Sequence, residues 1–151
     1  VMVCLSKGLG APIGSLLCGS AELIREARVW RKRLGGGMRQ VGVLAAAGLV
    51  ALDESPPRLR EDHAHAQTLA AALAELPGVT VAPVETNIVI AGLAGACLDA
   101  PQLIAELKAR GILALAINPR TVRFVTHYDV GAADIRQTVA ALRELLGSRP
   151  C

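Results

Sequence analysis

Val1-Met2-Val3-Cys4-Leu5-Ser6-Lys7-Gly8-Leu9-Gly10-Ala11-Pro12-Ile13-Gly14-Ser15-Leu16-Leu17-Cys18 sets two apolar runs on either side of a loop built of small residues. Each run is short and the glycines punctuate the chain between them, so the stretch predicts two buried strands joined by a loop. Lys7 stands at the exit of the first strand. A solvated surface lysine is the plainest account of it. At the end of a buried strand, however, the amine would be desolvated, its pKa lowered and more of it neutral and nucleophilic. The flanking glycines let a bulky ring approach the backbone. They also suggest a phosphate loop, but Lys7-Gly8-Leu9-Gly10 lacks the Walker spacing and the complete dinucleotide fingerprint.

Outward from this loop the pattern turns helical. Ser20 is placed as an N-cap with Glu22 in the first turn, and Leu23, Ile24, Ala27 and Trp30 form one stripe ending at Gly35-Gly36-Gly37. A second helix is expected from about Met38 to Leu52, apolar enough to be buried on most sides, with Ser55-Pro56-Pro57 breaking the chain after it. Arg58 to Leu76 reads as a long amphipathic helix stopped by Pro77-Gly78. Strands then follow at Val79 to Ala82, Asn87 to Ala91, Ile112 to Ile117 and Thr121 to Thr126. Helices are expected at Pro101 to Arg110 and Ala132 to Leu146. The boundary falls near Ser55, giving residues 1–54 as helices on a strand pair and 55–151 as a compact α+β unit. The fold class is α/β.

Composition excludes several functions. With 52% hydrophobic and 19% charged residues the 151-residue chain is globular, and no apolar run reaches membrane-spanning length. Aromatics are only 2%, which argues against a stacking platform for single-stranded nucleic acid. A net charge of +3, with one basic cluster at Arg28, Arg31, Lys32 and Arg33, suits neither a nucleic-acid backbone nor a polybasic membrane patch. Cys4, Cys18, Cys97 and Cys151 lack paired spacing and read as free buried thiols, which favours a reducing compartment, cytoplasm or mitochondrial matrix. Val1 opens in mid-strand, so the chain is expected to be a fragment.

The remaining candidates are charged residues in unusual settings. Gly35-Gly36-Gly37 before a helix start can receive an anion, with Lys32 and Arg39 adding charge, or can be a flexible break between helices. Arg123 lies amid Val122, Phe124 and Val125, so it faces solvent, a partner or a bound anion. A guanidinium fork suits a carboxylate. His127 reads as a strand-end cap with no orienting partner evident from sequence. His63 and His65 point to different helix faces, so no metal site is expected.

Three blocks in order, LSKGLGAPIGSLL from Leu5, WRKRLGGGMRQ from Trp30 and VRFVTHYD from Val122, resemble the low-specificity threonine aldolases. EDHAHA from Glu61 and ETNIV from Glu85 extend the likeness over essentially the whole chain. The resemblance implies the C-terminal part of an aspartate-aminotransferase-like chain, pyridoxal-phosphate fold type I. Residues 1–54 would be a remnant of the cofactor-binding large domain and 55–151 the small domain. It implies pyridoxal phosphate held as an aldimine on Lys7, with Lys32 and Arg39 near the cofactor of the adjacent subunit. It also implies Arg123, assisted by Arg120, on the substrate carboxylate, and a homo-oligomer, dimer or tetramer. The implied reaction cleaves L-threonine or L-allo-threonine to glycine and acetaldehyde. Other fold-type-I lyases, a hydroxymethyltransferase, or an inert product that binds partner subunits are the alternatives. The family's phosphate-binding loop, ring-stacking histidine and pyridine-pairing aspartate would precede Val1, so this chain alone is expected to be weak or inactive.

Overall fold

The small-residue loop turns the chain back on itself, so that Met2–Cys4 (β1) pairs antiparallel with Ser15–Leu17 (β2), Met2 opposite Leu17 and Cys4 opposite Ser15. The structure, a computed structural model, describes residues 1–147. Its chain divides into two compact units, Val1–Leu59 and Arg60 onward.

In the first unit the strands are exposed rather than buried: Met2, Leu16 and Leu17 all lie open. Two strands make only a ribbon, and within this unit the apolar contacts gather instead around Leu5, Ala11 and Ala51. Helix α1 (Ala21–Arg33) begins as its sequence requires, the Leu23 N–H donating to Ser20 Oγ at 3.2 Å. Arg31, Lys32 and Arg33 fill its last turn, where the helix dipole favours cations. Helix α2 (Gly42–Ala74) starts later than Met38, because Gln40 takes a positive φ of 51° that no helical residue adopts. The helix is also not buried on most sides, since Val43, Leu49 and Val50 are exposed.

Ser55-Pro56-Pro57 does not break the chain. Both prolines sit inside α2. Proline's fixed φ is helical; what it removes is the N–H that would reach four residues back. The expected interruption therefore becomes a helix with two missing internal hydrogen bonds.

The strands of the second unit are β3 (Thr80–Val81), β4 (Ile88–Gly92), β5 (Leu115–Asn118) and β6 (Thr121–Val125). They build a sheet in the order β3-β4-β6-β5, antiparallel throughout. Alternation decides its faces. Val89, Ala91, Val122 and Phe124 are buried against Leu69 and Leu73 of α2, Leu103 and Leu107 of α3 (Ala100–Ala109), and Leu142 and Leu145 of α4 (Ala132–Gly147). Ile88, Arg123 and Val125 lie exposed on the other face. Helix α3 opens with a full capping box: Gln102 N–H donates to Asp99 Oδ1 at 2.9 Å, and Asp99 N–H to Gln102 Oε1 at 3.0 Å.

The cysteines depart from four free buried thiols. Cys4 is half-buried and Cys18 exposed, both free, whereas Cys97 is disulfide-bonded; Cys151 lies outside the described residues. Cys97 sits in the loop after β4. Among the described residues no helix is long and apolar enough to cross a membrane.

Candidate active site

The Lys7 loop is closed by its own backbone. Leu5 N–H donates to the Gly14 carbonyl at 2.9 Å, Ala11 N–H to the Leu5 carbonyl at 2.9 Å, and Gly10 N–H to the Lys7 carbonyl at 2.8 Å. The last bond makes Lys7 to Gly10 a tight turn, and Gly10 closes it with φ 78°, a conformation that disfavours any residue with a Cβ. From α2, Ser55 Oγ donates to the Leu9 carbonyl at 2.7 Å. Sequence reasoning used Ser55 only as the first residue of a break. The signal it missed is the spacing of Gly48, Ala51 and Ser55, small residues on one helix face. Lys7 itself is exposed. The desolvation expected at a buried strand end is thus not provided by these residues, since the strand is itself exposed.

The neighbouring thiol does feel the loop. Cys4 Sγ lies 3.4 Å from Ser6 Oγ. Its pKa is held below the ordinary thiol value, chiefly by the Ser6 hydroxyl and then the Ser6 backbone, with a smaller contribution from the charge on Lys7.

Gly35-Gly36-Gly37 lies at the end of α1, not at the start of α2. Gly35 N–H donates to the Lys32 carbonyl at 3.2 Å and Gly36 N–H to the Arg31 carbonyl at 2.7 Å. Those amides cap a helix C-terminus, so the helix-start anion cradle expected there is not formed. Lys32 instead brings its own ammonium to the glycines: a Cβ at Gly37 would come 2.8 Å from Nζ. Arg39 is exposed in the turn before α2.

Arg120 and Arg123 belong to the second unit and have different surroundings. Arg123, opposite Ile90 and Leu115 in register, is exposed on the open sheet face and makes no hydrogen bond or ion pair among the described residues. Arg120 Nη1 donates to the Leu93 carbonyl at 3.3 Å and the Ala96 carbonyl at 3.2 Å. The end of β6 is held where separated sequence blocks meet. Thr126 Oγ1 donates to the Asp62 carbonyl at 2.6 Å, and Asn87 Nδ2 to the Thr126 carbonyl at 2.6 Å.

His127 does have a partner that sequence did not reveal. Its Nδ1 accepts from the Asp129 N–H at 3.4 Å and lies 3.5 Å from Asp129 Oδ2. The two contacts are alternatives, because the first needs a bare nitrogen and the second a protonated one. His127 and Asp129 border a cleft of about 300 Å³ with Phe124, Thr126 and Thr138; Arg123 does not line it. Among the described residues no group of three His, Cys, Asp or Glu is placed to hold a metal ion.

The model of the beta-eliminating lyase family matches residues 1–96, the Lys7 loop included. The chain belongs to that family. This beta-eliminating lyase chain is 44% identical over 149 residues to low-specificity L-threonine aldolase 1 of Arabidopsis thaliana, covering 97% of the chain and 42% of that relative. It therefore spans less than half the length of the curated relative it matches. Among solved structures, the aminotransferase TlmJ from Streptoalloteichus hindustanus superposes with TM-score 0.76 at 16% identity, over 95% of this chain and 50% of that one. C-DES, a cystine C–S lyase solved with glycine covalently linked to its pyridoxal-phosphate cofactor, superposes with TM-score 0.56 at 20% identity, over 69% of this chain and 28% of that one. The fold of the lyase chain is accordingly part of the fold-type-I architecture.

Proposed function

We propose that the chain carries the cofactor lysine and the carboxylate anchor of a pyridoxal-phosphate-dependent aldolase that splits L-threonine or L-allo-threonine into glycine and acetaldehyde. What carries this reading is the 44% identity to a threonine aldolase over 97% of the chain, with Lys7 at its strand exit. The Lys7 loop fits such a group: the amine is exposed, and nothing lies within 4 Å of a Cβ placed at Gly10, which leaves room beside the turn for a ring. When bound, pyridoxal phosphate supplies the sink for the electrons released from the Cα–Cβ bond.

The chain's own residues would then do three things. Lys7 holds the cofactor through its amine. Arg123 binds the substrate carboxylate through its fork, so that the Cα–Cβ bond is fixed in the orientation cleavage requires. Arg120 assists only through donors that Leu93 and Ala96 leave to it. Lys32 and Arg39 are assigned to the cofactor of an adjacent subunit. In the overall reaction the β-hydroxyl loses its proton, Cα–Cβ breaks, acetaldehyde leaves, and Cα gains a proton to give glycine. Residues 1–54 are assigned to the large domain and 55–151 to the small one.

A homo-oligomer accompanies this reading. Leu34 and Val43 are 82% and 80% exposed in the first unit, apolar residues of the kind that a second copy would cover.

The test is reductive trapping. Pyridoxal phosphate is added, borohydride follows, and peptides are mapped. Label on the Lys7 peptide, with acetaldehyde released from threonine by the active protein, supports the aldolase. Label on Lys7 in an enzyme that turns over another amino acid but releases no acetaldehyde from threonine points to another lyase or a hydroxymethyltransferase, whereas label without any turnover is the outcome expected of this chain alone. A folded sample left unlabelled overturns the cofactor assignment.

A further inference from the structure

We propose that Ser55 is a positioning residue for Lys7, its hydroxyl setting where the loop presents the amine; the inference rests on Lys7 being the cofactor lysine. A serine inside a helix ordinarily returns its hydroxyl to the carbonyl four residues back. Ser55 instead donates 46 residues away, to Leu9, at 2.7 Å. Leu9 is the third residue of the turn that Lys7 opens and Gly10 closes.

The rest of the seat is apolar. Gly48, Ala51, Ser55 and Leu59 are spaced three, four and four apart, so they share one face of α2. A Cβ at Gly48 would sit 3.2 Å from Leu5 Cδ1, Ala51 is buried with Leu5 and Ala11, and a Cβ at Gly8 would meet Leu59 Cδ2 at 2.9 Å. These contacts hold the loop down but are non-directional and tolerate sliding along the helix. A hydrogen bond fixes both distance and angle. Ser55 thus supplies the directional element, two residues from the amine, and a displacement on the order of 1 Å is enough to cost reactivity at such a site.

The experiment compares the full chain with Ser55→Ala, Ser55→Thr and Ser55→Cys. Amide hydrogen exchange is followed at Gly10 and Ala11, and pyridoxal phosphate with borohydride is mapped on Lys7, with Lys108 as internal reference. Ser55→Ala is expected to speed exchange at Gly10 and Ala11 about fivefold, the loss of one hydrogen bond. It should also lower Lys7 labelling relative to Lys108, whereas Ser55→Thr, which keeps the donor, restores both. If Ser55→Ala does not fold, Ser55→Cys, nearly isosteric and a weak donor, is read in its place. Unchanged exchange and unchanged Lys7 selectivity overturn the proposal. Altered exchange with no label on Lys7 even in the unsubstituted chain supports Ser55 as the loop's anchor, while the cofactor reading is what fails.

Discussion

Arg120 donates its Nη1 to the Ala96 carbonyl at 3.2 Å and so ties the hairpin between β5 and β6 to the loop after β4. Arg123, three residues on, has no such tie. On the proposed reading the two arginines divide structural and binding work. Arg120→Ala should destabilise the fold by about 1–3 kcal/mol, because two backbone carbonyls lose a charged donor. Arg123→Ala should leave the melting temperature within a degree or two and, if the proposed carboxylate anchor is right, lower kcat/KM for the amino acid about 10–100-fold in the active enzyme through loss of a charge-assisted fork. Thermal unfolding and steady-state kinetics on both variants check the division; equal loss of stability in the two would refute it.

Gly78 and Gly95 approach so closely that a Cβ on either meets the other's backbone, and Gly95 N–H donates to the Gly78 carbonyl at 3.1 Å. Gly78 also has φ 73°. Gly78→Ala combines a backbone clash with a left-handed conformation, so it should cost more than about 2 kcal/mol in denaturant unfolding. Gly10→Ala has the same positive φ but open space around it, and should cost only about 1 kcal/mol.

The Asp99 capping box is local, its two hydrogen bonds joining residues three apart, so its contribution is separable from packing. Asp99→Ala should cost about 1 kcal/mol, and Asp99→Asn, which keeps an acceptor oxygen, much less. Urea midpoints with an unchanged slope are the measurement; a change in slope would mean the cap acts on more than α3.

These sites also show which parts of the fold local sequence can specify. Ser20 marks a helix start through an interaction within one turn, and the structure has that start where the sequence puts it. Val122 and Phe124 alternate with Arg123, so one face of β6 was legible too. Pro56-Pro57 misled because a local penalty was read as a stop, although a 33-residue helix tolerates two missing bonds. Val43 and Leu49 misled because hydrophobicity reports a preference for burial, not the presence of a partner to bury against. Ser55 on Leu9 and Thr126 on Asp62 join residues 46 and 64 apart. No periodicity carries such distances. For the candidate site, sequence singled out Lys7, Arg120 and Arg123 as candidates but not the backbone contacts around Lys7 and Arg120.

Cys4 offers a spectroscopically silent but chemically readable report on the Lys7 loop. Ser6 is the largest cause of its lowered pKa, ahead of the opposing effect of burial and well ahead of the Lys7 charge. A depressed thiol pKa means a larger thiolate fraction at any pH below the ordinary thiol range, and thiolate is the form that alkylates. The pH at which iodoacetamide reaches half its limiting rate on Cys4 should therefore lie below that of an ordinary thiol. Ser6→Ala should move that midpoint upward. Lys7→Met should move it in the same direction but less, since a single exposed charge is screened by water. Because Lys7 is exposed, Lys7→Met should also leave stability within about 0.5 kcal/mol, which separates loss of charge from loss of fold. A midpoint that responds to Lys7→Met more than to Ser6→Ala would mean that the ammonium, and not the Ser6 hydroxyl, is the chief influence on the thiol.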